Sequence, residues 1–155
     1  MGTEIERKFL VQEGPWRSEI PVSFRQGYLT QDRSRTVRVR IAGTTGFLTI
    51  KGPNIGASRL EYEYNIPHDD AIELLDQLCI KPIIEKKRYK IIIHGKCWEV
   101  DEFFGDNEGL LLAEIELDHE NEEFDPPDWV GREVTTDERY FNSNLAQNPF
   151  CNWRD

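Results

Sequence analysis

The 155-residue sequence predicts a mainly β protein of the α+β class, a closed eight-stranded antiparallel β-barrel with a few helices packed outside. Three observations support this prediction. Most of the chain consists of short segments in which apolar and polar residues alternate between turn residues. Seven of the eight segments carry a charged face. Closure of eight strands would remove the sheet edges and leave an interior wide enough for side chains or one small ligand.

Each alternating segment ends at a cluster of turn residues. The segments cover residues 3–12, 22–30, 36–42, 47–52, 58–66, 83–94, 97–103 and 110–118. Residues 43–46 between the third and fourth segments are typical of a hairpin loop. Residues 68–78 instead predict a helix, because Ile72, Leu75 and Leu78 share one helical face and the first turn is acidic.

Beyond the eighth segment we expect an acidic solvated loop over residues 118–128 and a terminal helix over residues 138–147, capped by Asp137. Three tryptophans lie where they could join the two helices in covering the apolar outer face of the barrel: Trp16, Trp129 and Trp153. A chain of this length is too short for two comfortable domains, so we expect one domain over residues 1–155.

Composition narrows the class of protein. An apolar fraction of 38% and a charged fraction of 31% suit a soluble globular protein. We expect neither a signal peptide nor a membrane partner, because no suitable apolar run is present. The net charge of −10 argues against a general nucleic-acid binder. Cys79, Cys97 and Cys151 lack metal-ligand spacing, which favours free thiols and a cytoplasmic location.

The charged residues fall on one face of each strand because side chains alternate along a strand. Like charges repeat along this face, which costs free energy unless a ligand of opposite sign lies between them. The cations on this face are Lys8, Arg38, Arg40, Lys51, Arg59, Lys86 and Arg88. The carboxylates are Glu4, Glu6, Glu61, Glu63, Glu99, Asp101, Glu114 and Glu116.

The charged face has two interpretations. Such a face is usually the solvated side of an antiparallel sheet. Here, however, charges stand at consecutive same-face positions in strand after strand, without the usual mixture of Thr, Ser and Gln. This favours an interior site in which basic strands hold a multivalent anion and carboxylates hold hard divalent cations. A polyphosphate with Mg²⁺ or Mn²⁺ fits both requirements.

The charged strands also carry an ordered set of short motifs. They are Glu4-Ile5-Glu6-Arg7-Lys8, Arg38-Val39-Arg40, Thr49-Ile50-Lys51, Arg59-Leu60-Glu61-Tyr62-Glu63, Lys86-Lys87-Arg88-Tyr89, Trp98-Glu99-Val100-Asp101, Ala113-Glu114-Ile115-Glu116 and Glu133-Val134-Thr135. Taken in order along almost the whole chain, they resemble the CYTH, or triphosphate tunnel metalloenzyme, superfamily. The resemblance implies an eight-stranded antiparallel tunnel and metal-dependent chemistry on triphosphate substrates.

The resemblance also implies roles for individual residues. The implied primary metal ligands are Glu4, Glu6 and Glu116. A second metal site, or groups that position water, would come from Glu61, Glu63, Asp101 and Glu114. The implied triphosphate clamp is Lys8, Arg38, Arg40, Lys51, Lys86 and Arg88. Arg59 fits the clamp and Glu99 the inward face, although each could equally form a structural ion pair. Glu133 matches a motif but is expected only to anchor a helix or loop.

Phosphoryl transfer depends mainly on positioning and charge neutralisation, which suggests a small catalytic set. Our hypothesis is that a second metal, or a carboxylate such as Glu114, orients and deprotonates the attacking water. Lys8 and Arg40 would offset charge on the transferred group. Tyr28 would hydrogen-bond Lys8 or a phosphate, or else be structural.

The expected function is hydrolysis of inorganic tripolyphosphate, a small-molecule substrate, by a cytoplasmic monomer or homodimer. Within the resembled family, thiamine triphosphatase, RNA 5′-triphosphatase and class IV-type adenylate cyclase remain alternatives. The sequence shows no obvious adenine pocket or basic RNA-binding surface, which favours the inorganic triphosphatase. A non-catalytic polyphosphate- or nucleotide-binding module would keep the cations but dispense with the paired carboxylates, and these are intact.

Overall fold

The computed structural model describes residues 2–30 and 32–153. Within these residues the chain forms nine antiparallel strands. The strands are β1 (Thr3–Val11), β2 (Val22–Tyr28), β3 (Thr36–Ala42), β4 (Thr45–Lys51), β5 (Ser58–Ile66), β6 (Ile84–Ile93), β7 (Lys96–Phe103), β8 (Leu111–Glu116) and β9 (Val130–Glu133). Their order is β5-β4-β3-β2-β6-β7-β8-β1, and β1 pairs again with β5. The first eight strands therefore close into the predicted barrel, and that prediction is confirmed.

The strand β1 closes the barrel because it uses both of its edges. Residues 6–10 pair with β8 along one edge, whereas residues 3–5 pair with β5 along the other. Beyond residue 5 the second edge would be free, but β9 occupies it at Phe9 and Val11. The strand β9 was not predicted, because its four residues include Gly131 and show little alternation of apolar and polar side chains.

Glu133 ends β9, and its carboxylate accepts a hydrogen bond from Thr135 in the loop that follows, as expected of a residue that anchors a loop. Its carboxylate accepts a hydrogen bond from Arg7 Nε at 2.8 Å. Thr135, just beyond β9, accepts a hydrogen bond from the backbone N–H of Lys8 at 3.0 Å. The last charged motif thus fastens β9 to the middle of β1.

The helix α1 (His68–Gln77) covers part of the outer face, as its pattern predicts, except that Leu78 lies just beyond the helix and is exposed. It follows Pro67, and Asp69 and Asp70 lie in its first turn, where negative charge complements the helix dipole. Ala71 and Leu75 are completely buried against apolar residues that point outward from β3.

Aromatic side chains cover another part of the outer face. The Trp16 ring packs at 5.0 Å from Tyr89, and the Trp129 ring lies 6.0 Å from Trp98. Trp16 is carried by a 3₁₀ turn, Pro15–Ser18. Trp153 joins a separate cluster, because its ring packs 5.1 Å from that of Tyr140.

The predicted terminal helix over residues 138–147 is wrong as one continuous element. The chain forms a 3₁₀ turn, Glu138–Tyr140, and a short helix α2 (Asn142–Leu145), with Phe141 extended between them. Asp137 does cap the turn by accepting a hydrogen bond from Arg139 N. The break allows Tyr140 and Leu145 to enter an apolar cluster with residues of the barrel, so tertiary packing outweighs local helix propensity.

Across residues 2–30 and 32–153, the helices are too short and too polar for any of them to cross a membrane.

Candidate active site

The barrel encloses a cavity of about 250 Å³ lined mainly by charged side chains. Antiparallel partners share a face, and pairs such as Glu6 with Glu116 and Lys8 with Glu114 turn their side chains inward. The predicted site residues that line the cavity are Glu4, Glu6, Lys8, Tyr28, Arg38, Arg40, Lys51, Arg59, Glu61, Glu63, Arg88, Glu99, Glu114 and Glu116. Lys86 and Asp101 lie behind this lining and are buried.

Several cations crowd one part of the interior. Burial, together with Arg38 and Arg88, lowers the pKa of Arg40 to about 9. Burial and the guanidinium groups of Arg88 and Arg40, opposed by Asp101, lower the pKa of Lys86 to about 7. Arg38 Nε is buried and, within residues 2–30 and 32–153, has no hydrogen-bond partner. Arg38 therefore keeps a donor for an anion, and an anion would also offset the like charges that surround Arg40.

Asp101 holds two of these cations in place. Its Oδ2 accepts from Lys86 Nζ at 2.7 Å, and its Oδ1 accepts from Arg88 Nε at 2.8 Å. Burial alone would raise the pKa of Asp101, but Arg88 and Lys86 outweigh it and lower that pKa to about 2. Because both oxygens are engaged, Asp101 orients cations rather than offering a free carboxylate to a metal.

Carboxylates crowd a second part of the cavity. Burial and the neighbouring Glu114 raise the pKa of Glu6 well above its usual value. Burial and three nearby carboxylates likewise raise the pKa of Glu116. Burial opposes ionisation of Glu114 too, but a hydrogen bond with Glu6 and the charges of Lys8 and Arg88 hold the Glu114 pKa well below its usual range. Lys51 Nζ offsets some of the repulsion, at 3.1 Å from Glu4 Oε1 and 3.2 Å from Glu61 Oε2.

The chemistry of this carboxylate group fits a hard divalent cation. Carboxylate oxygens are the ligands that Mg²⁺ and Mn²⁺ prefer. A cation would also relieve the repulsion that raises the pKa values of Glu4, Glu6 and Glu116. As they stand in the described part of the chain, no three acidic, His or Cys side chains converge tightly enough to coordinate a metal ion.

Gln26 and Asn142 are among the interior residues that were not predicted from the sequence. Gln26 is completely buried and lies two positions before Tyr28 on β2, so strand parity could have identified it. Asn142 lines the cavity from α2, where no strand pattern could have identified it. The same segment contributes the carbonyl of Tyr140, which accepts a hydrogen bond from Lys8 Nζ at 3.1 Å.

We expect Asp101→Asn to lower the free energy of unfolding by about 3 kcal/mol, since removing one partner of a buried ion pair leaves its cations uncompensated. The measurement is urea unfolding at pH 7. The folded pKa of Asp101 lies below the ordinary 3.8, so its contribution is fully present above about pH 4 and disappears as pH falls towards 2. Glu99→Gln, which alters a half-buried partner of Arg88, is the matched control; an equal loss in both variants would contradict the prediction.

Comparisons with known proteins agree with this geometry. Residues 2–147 match the CYTH domain family. A protein of Acetivibrio thermocellus named inorganic triphosphatase is 54% identical over 156 residues, which cover all of both chains. A Nitrosomonas europaea protein of the same name is 42% identical and covers 93% of this chain and 97% of its own. A crystal structure of an inorganic triphosphatase superposes with a TM-score of 0.67 at 39% identity, covering 92% of this chain and 96% of that one. The chain therefore belongs to the CYTH domain family.

Proposed function

We propose that this protein is a metal-dependent inorganic triphosphatase that hydrolyses tripolyphosphate inside the barrel. The separation of cations and carboxylates within the cavity is the main observation that supports the proposal. The cavity lining combines cations that could bind a multivalent anion with carboxylates that could hold a divalent metal. The two relatives named inorganic triphosphatase, which align over almost their full lengths, support the same activity.

We assign the metal to the carboxylate group, with Mg²⁺ or Mn²⁺ held by Glu4, Glu6 and Glu116. Glu61 and Glu63 border the same cavity and could complete a second site. When bound, a divalent cation neutralises phosphate oxygens and lowers the pKa of a bound water. Asp101 is left out of this set because Lys86 and Arg88 occupy its oxygens.

The cations of the cavity bind and orient the triphosphate. Arg38 offers a buried Nε that makes no hydrogen bond within the described ranges, and burial together with the charges of Arg38 and Arg88 lowers the pKa of Arg40. An anion between them converts this repulsion into attraction. Lys51 and Arg59 extend the basic lining towards β5 and complete the proposed clamp.

Glu114, Lys8 and Tyr28 are proposed to act nearest the reacting phosphorus. The depressed pKa of Glu114 keeps its carboxylate ionised, so it can accept a hydrogen bond from the attacking water and orient it. The low pKa also makes Glu114 a weak proton acceptor, which favours orientation over deprotonation. Lys8 offsets charge on the transferred group, and Tyr28 lines the cavity within the same interior.

The lining favours inorganic tripolyphosphate over nucleoside or thiamine triphosphates. Among the residues that line the cavity, Tyr28 and Phe141 are the aromatic ones, whereas the others are charged, polar or small. An organic ring would therefore have to displace water from charged groups without gaining an apolar pocket.

Phosphate release from tripolyphosphate, ATP and thiamine triphosphate, each with Mg²⁺ or Mn²⁺, tests this function. We expect tripolyphosphate to give the highest kcat/KM, by at least about tenfold, because it brings no organic group that would displace water from the charged lining. Chelation with EDTA should abolish the reaction. Formation of cyclic AMP and pyrophosphate from ATP would instead indicate a cyclase, and binding of tripolyphosphate without turnover would indicate a non-catalytic module.

We further propose that residues 1–155 act as one cytoplasmic domain, as a monomer or homodimer, without nucleic-acid or membrane partners. The unpaired thiols of Cys79, Cys97 and Cys151 suit a reducing compartment. The net charge of −10 disfavours binding to nucleic acid.

A further inference from the structure

A chain of hydrogen bonds joins Arg40, which lines the cavity, to Lys86, which lies behind it, through two amide side chains. Arg40 Nε donates to Gln26 Oε1 at 2.8 Å. Gln26 Nε2 donates to Asn142 Oδ1 at 3.1 Å, and the same oxygen accepts from Lys86 Nζ at 3.1 Å. Gln26 is completely buried and Lys86 nearly so, so water does not compete for these contacts.

The donors at the two ends of this chain determine how both amides are turned. Arginine and lysine can only donate hydrogen bonds. Gln26 must therefore present its oxygen to Arg40, which leaves its nitrogen facing Asn142. Asn142 receives donors from both Gln26 and Lys86, so the atom facing them must be its oxygen. Rotating either amide by 180° would place nitrogen against nitrogen and break the chain.

One donor group is left over by this arrangement. With Oδ1 directed at Gln26 and Lys86, Asn142 Nδ2 points away from them, and no acceptor for it lies within residues 2–30 and 32–153. Asn142 lines the cavity, beside Phe141 and Ser143 of the same segment. The amide therefore has two N–H groups free to face the cavity, which Lys8 and Arg40 also line.

We propose that Asn142 is a phosphate-binding residue, its amide nitrogen aimed at the anion by the Gln26–Asn142–Lys86 hydrogen bonds. This inference rests on the proposed function, because the anion is the triphosphate. Gln26 is a positioning residue that acts through Arg40 and Asn142. The C-terminal segment therefore supplies a ligand contact to a site otherwise built from strands.

Asn142→Asp separates this role from a structural one. Aspartate keeps an oxygen for Gln26 and Lys86 but replaces the donor towards the cavity with a negatively charged acceptor. We expect kcat/KM for tripolyphosphate to fall by about 100-fold, because a hydrogen-bond donor is lost and the new carboxylate repels the anion. The unfolding temperature should stay the same or rise, because the contact with Lys86 becomes an ion pair.

Asn142→Ser gives the opposite pattern. Serine is too short to reach Gln26 and Lys86, so the unfolding temperature should fall. Because it adds no negative charge, kcat/KM should fall by only about tenfold. Asn148→Asp makes the same chemical change at an exposed position of the C-terminal segment and should leave both properties unchanged.

Titration calorimetry with tripolyphosphate in EDTA measures binding without turnover and separates the two proposals. The inference is supported if Asn142→Asp weakens binding at least tenfold while remaining as stable as the wild type. Wild-type-like binding and kcat/KM in Asn142→Asp, or a loss that follows stability across the two variants, would overturn it. A wild-type protein that binds tripolyphosphate in EDTA but does not hydrolyse it with Mg²⁺ or Mn²⁺ overturns the proposed function alone. A wild type that hydrolyses tripolyphosphate with the metal but does not bind it in EDTA overturns the inference alone.

Discussion

Replacing Glu6 or Glu116 with glutamine is expected to lower metal-dependent phosphate release from tripolyphosphate by about 10³-fold. The two residues face each other across β1 and β8, and each has a raised pKa because burial and neighbouring carboxylates disfavour its charge. Glutamine keeps the size of the side chain but removes the negative charge that would hold a divalent cation. The measurement is phosphate release over a range of Mg²⁺ or Mn²⁺ concentrations.

Stability should respond to these substitutions in the opposite direction. Removing one of several repelling carboxylates relieves unfavourable charge, so the unfolding temperature should be unchanged or higher. Glu85→Gln is the matched control because Glu85 is exposed on β6 and outside the cavity. Full activity in Glu6→Gln and Glu116→Gln would refute the metal assignment, and a large loss in Glu85→Gln would show that the effect is nonspecific.

Arg40→Met is expected to lower kcat/KM for tripolyphosphate by about 10²- to 10³-fold, through loss of a preorganised cation. Burial and repulsion by Arg38 and Arg88 lower the pKa of Arg40 to about 9 in the free protein. The repulsion between these cations is unfavourable in the free protein, and a bound anion would relieve it, so Arg40 should stabilise the complex with the anion rather than the free protein. Methionine retains apolar contact with Phe24, whose ring lies 4.6 Å from the Arg40 guanidinium carbon.

Thermal unfolding with and without tripolyphosphate checks the same assignment independently of turnover. The wild type should be stabilised by the ligand as mass action requires, and Arg40→Met should be stabilised less at the same concentration. Arg25→Met, which removes an exposed arginine of β2, should behave as the wild type. Equal stabilisation of Arg40→Met and the wild type would place Arg40 outside the phosphate clamp.

Strand alternation predicted more of this protein than any single motif. The period of two placed the charges of β1, β3 and β5 on one face, and the register of the barrel turns those faces inward. The helix α1 was equally predictable because its apolar residues repeat with helical period. The same parity would have identified Gln26, an uncharged residue on a charged face.

Contacts between distant segments account for what was missed. The strand β9 exists because β5 leaves one edge of β1 unpaired, which no pattern within residues 130–133 reveals. The terminal segment breaks at Phe141 because Tyr140 and Leu145 gain apolar contacts with the barrel. That break also brings Asn142 to Lys86.

The sequence by itself determined the barrel, its inward charged face and the residue types from which we propose an anion clamp and a metal site, because these follow from the local repeat of side chains. The tertiary structure alone decided which charges are free and which are already matched. Asp101 and Lys86 carry charges of the expected kind, yet they lie behind the cavity and engage each other at 2.7 Å. Charge type is a local property, whereas the partner of a charge depends on which strands meet when the barrel closes.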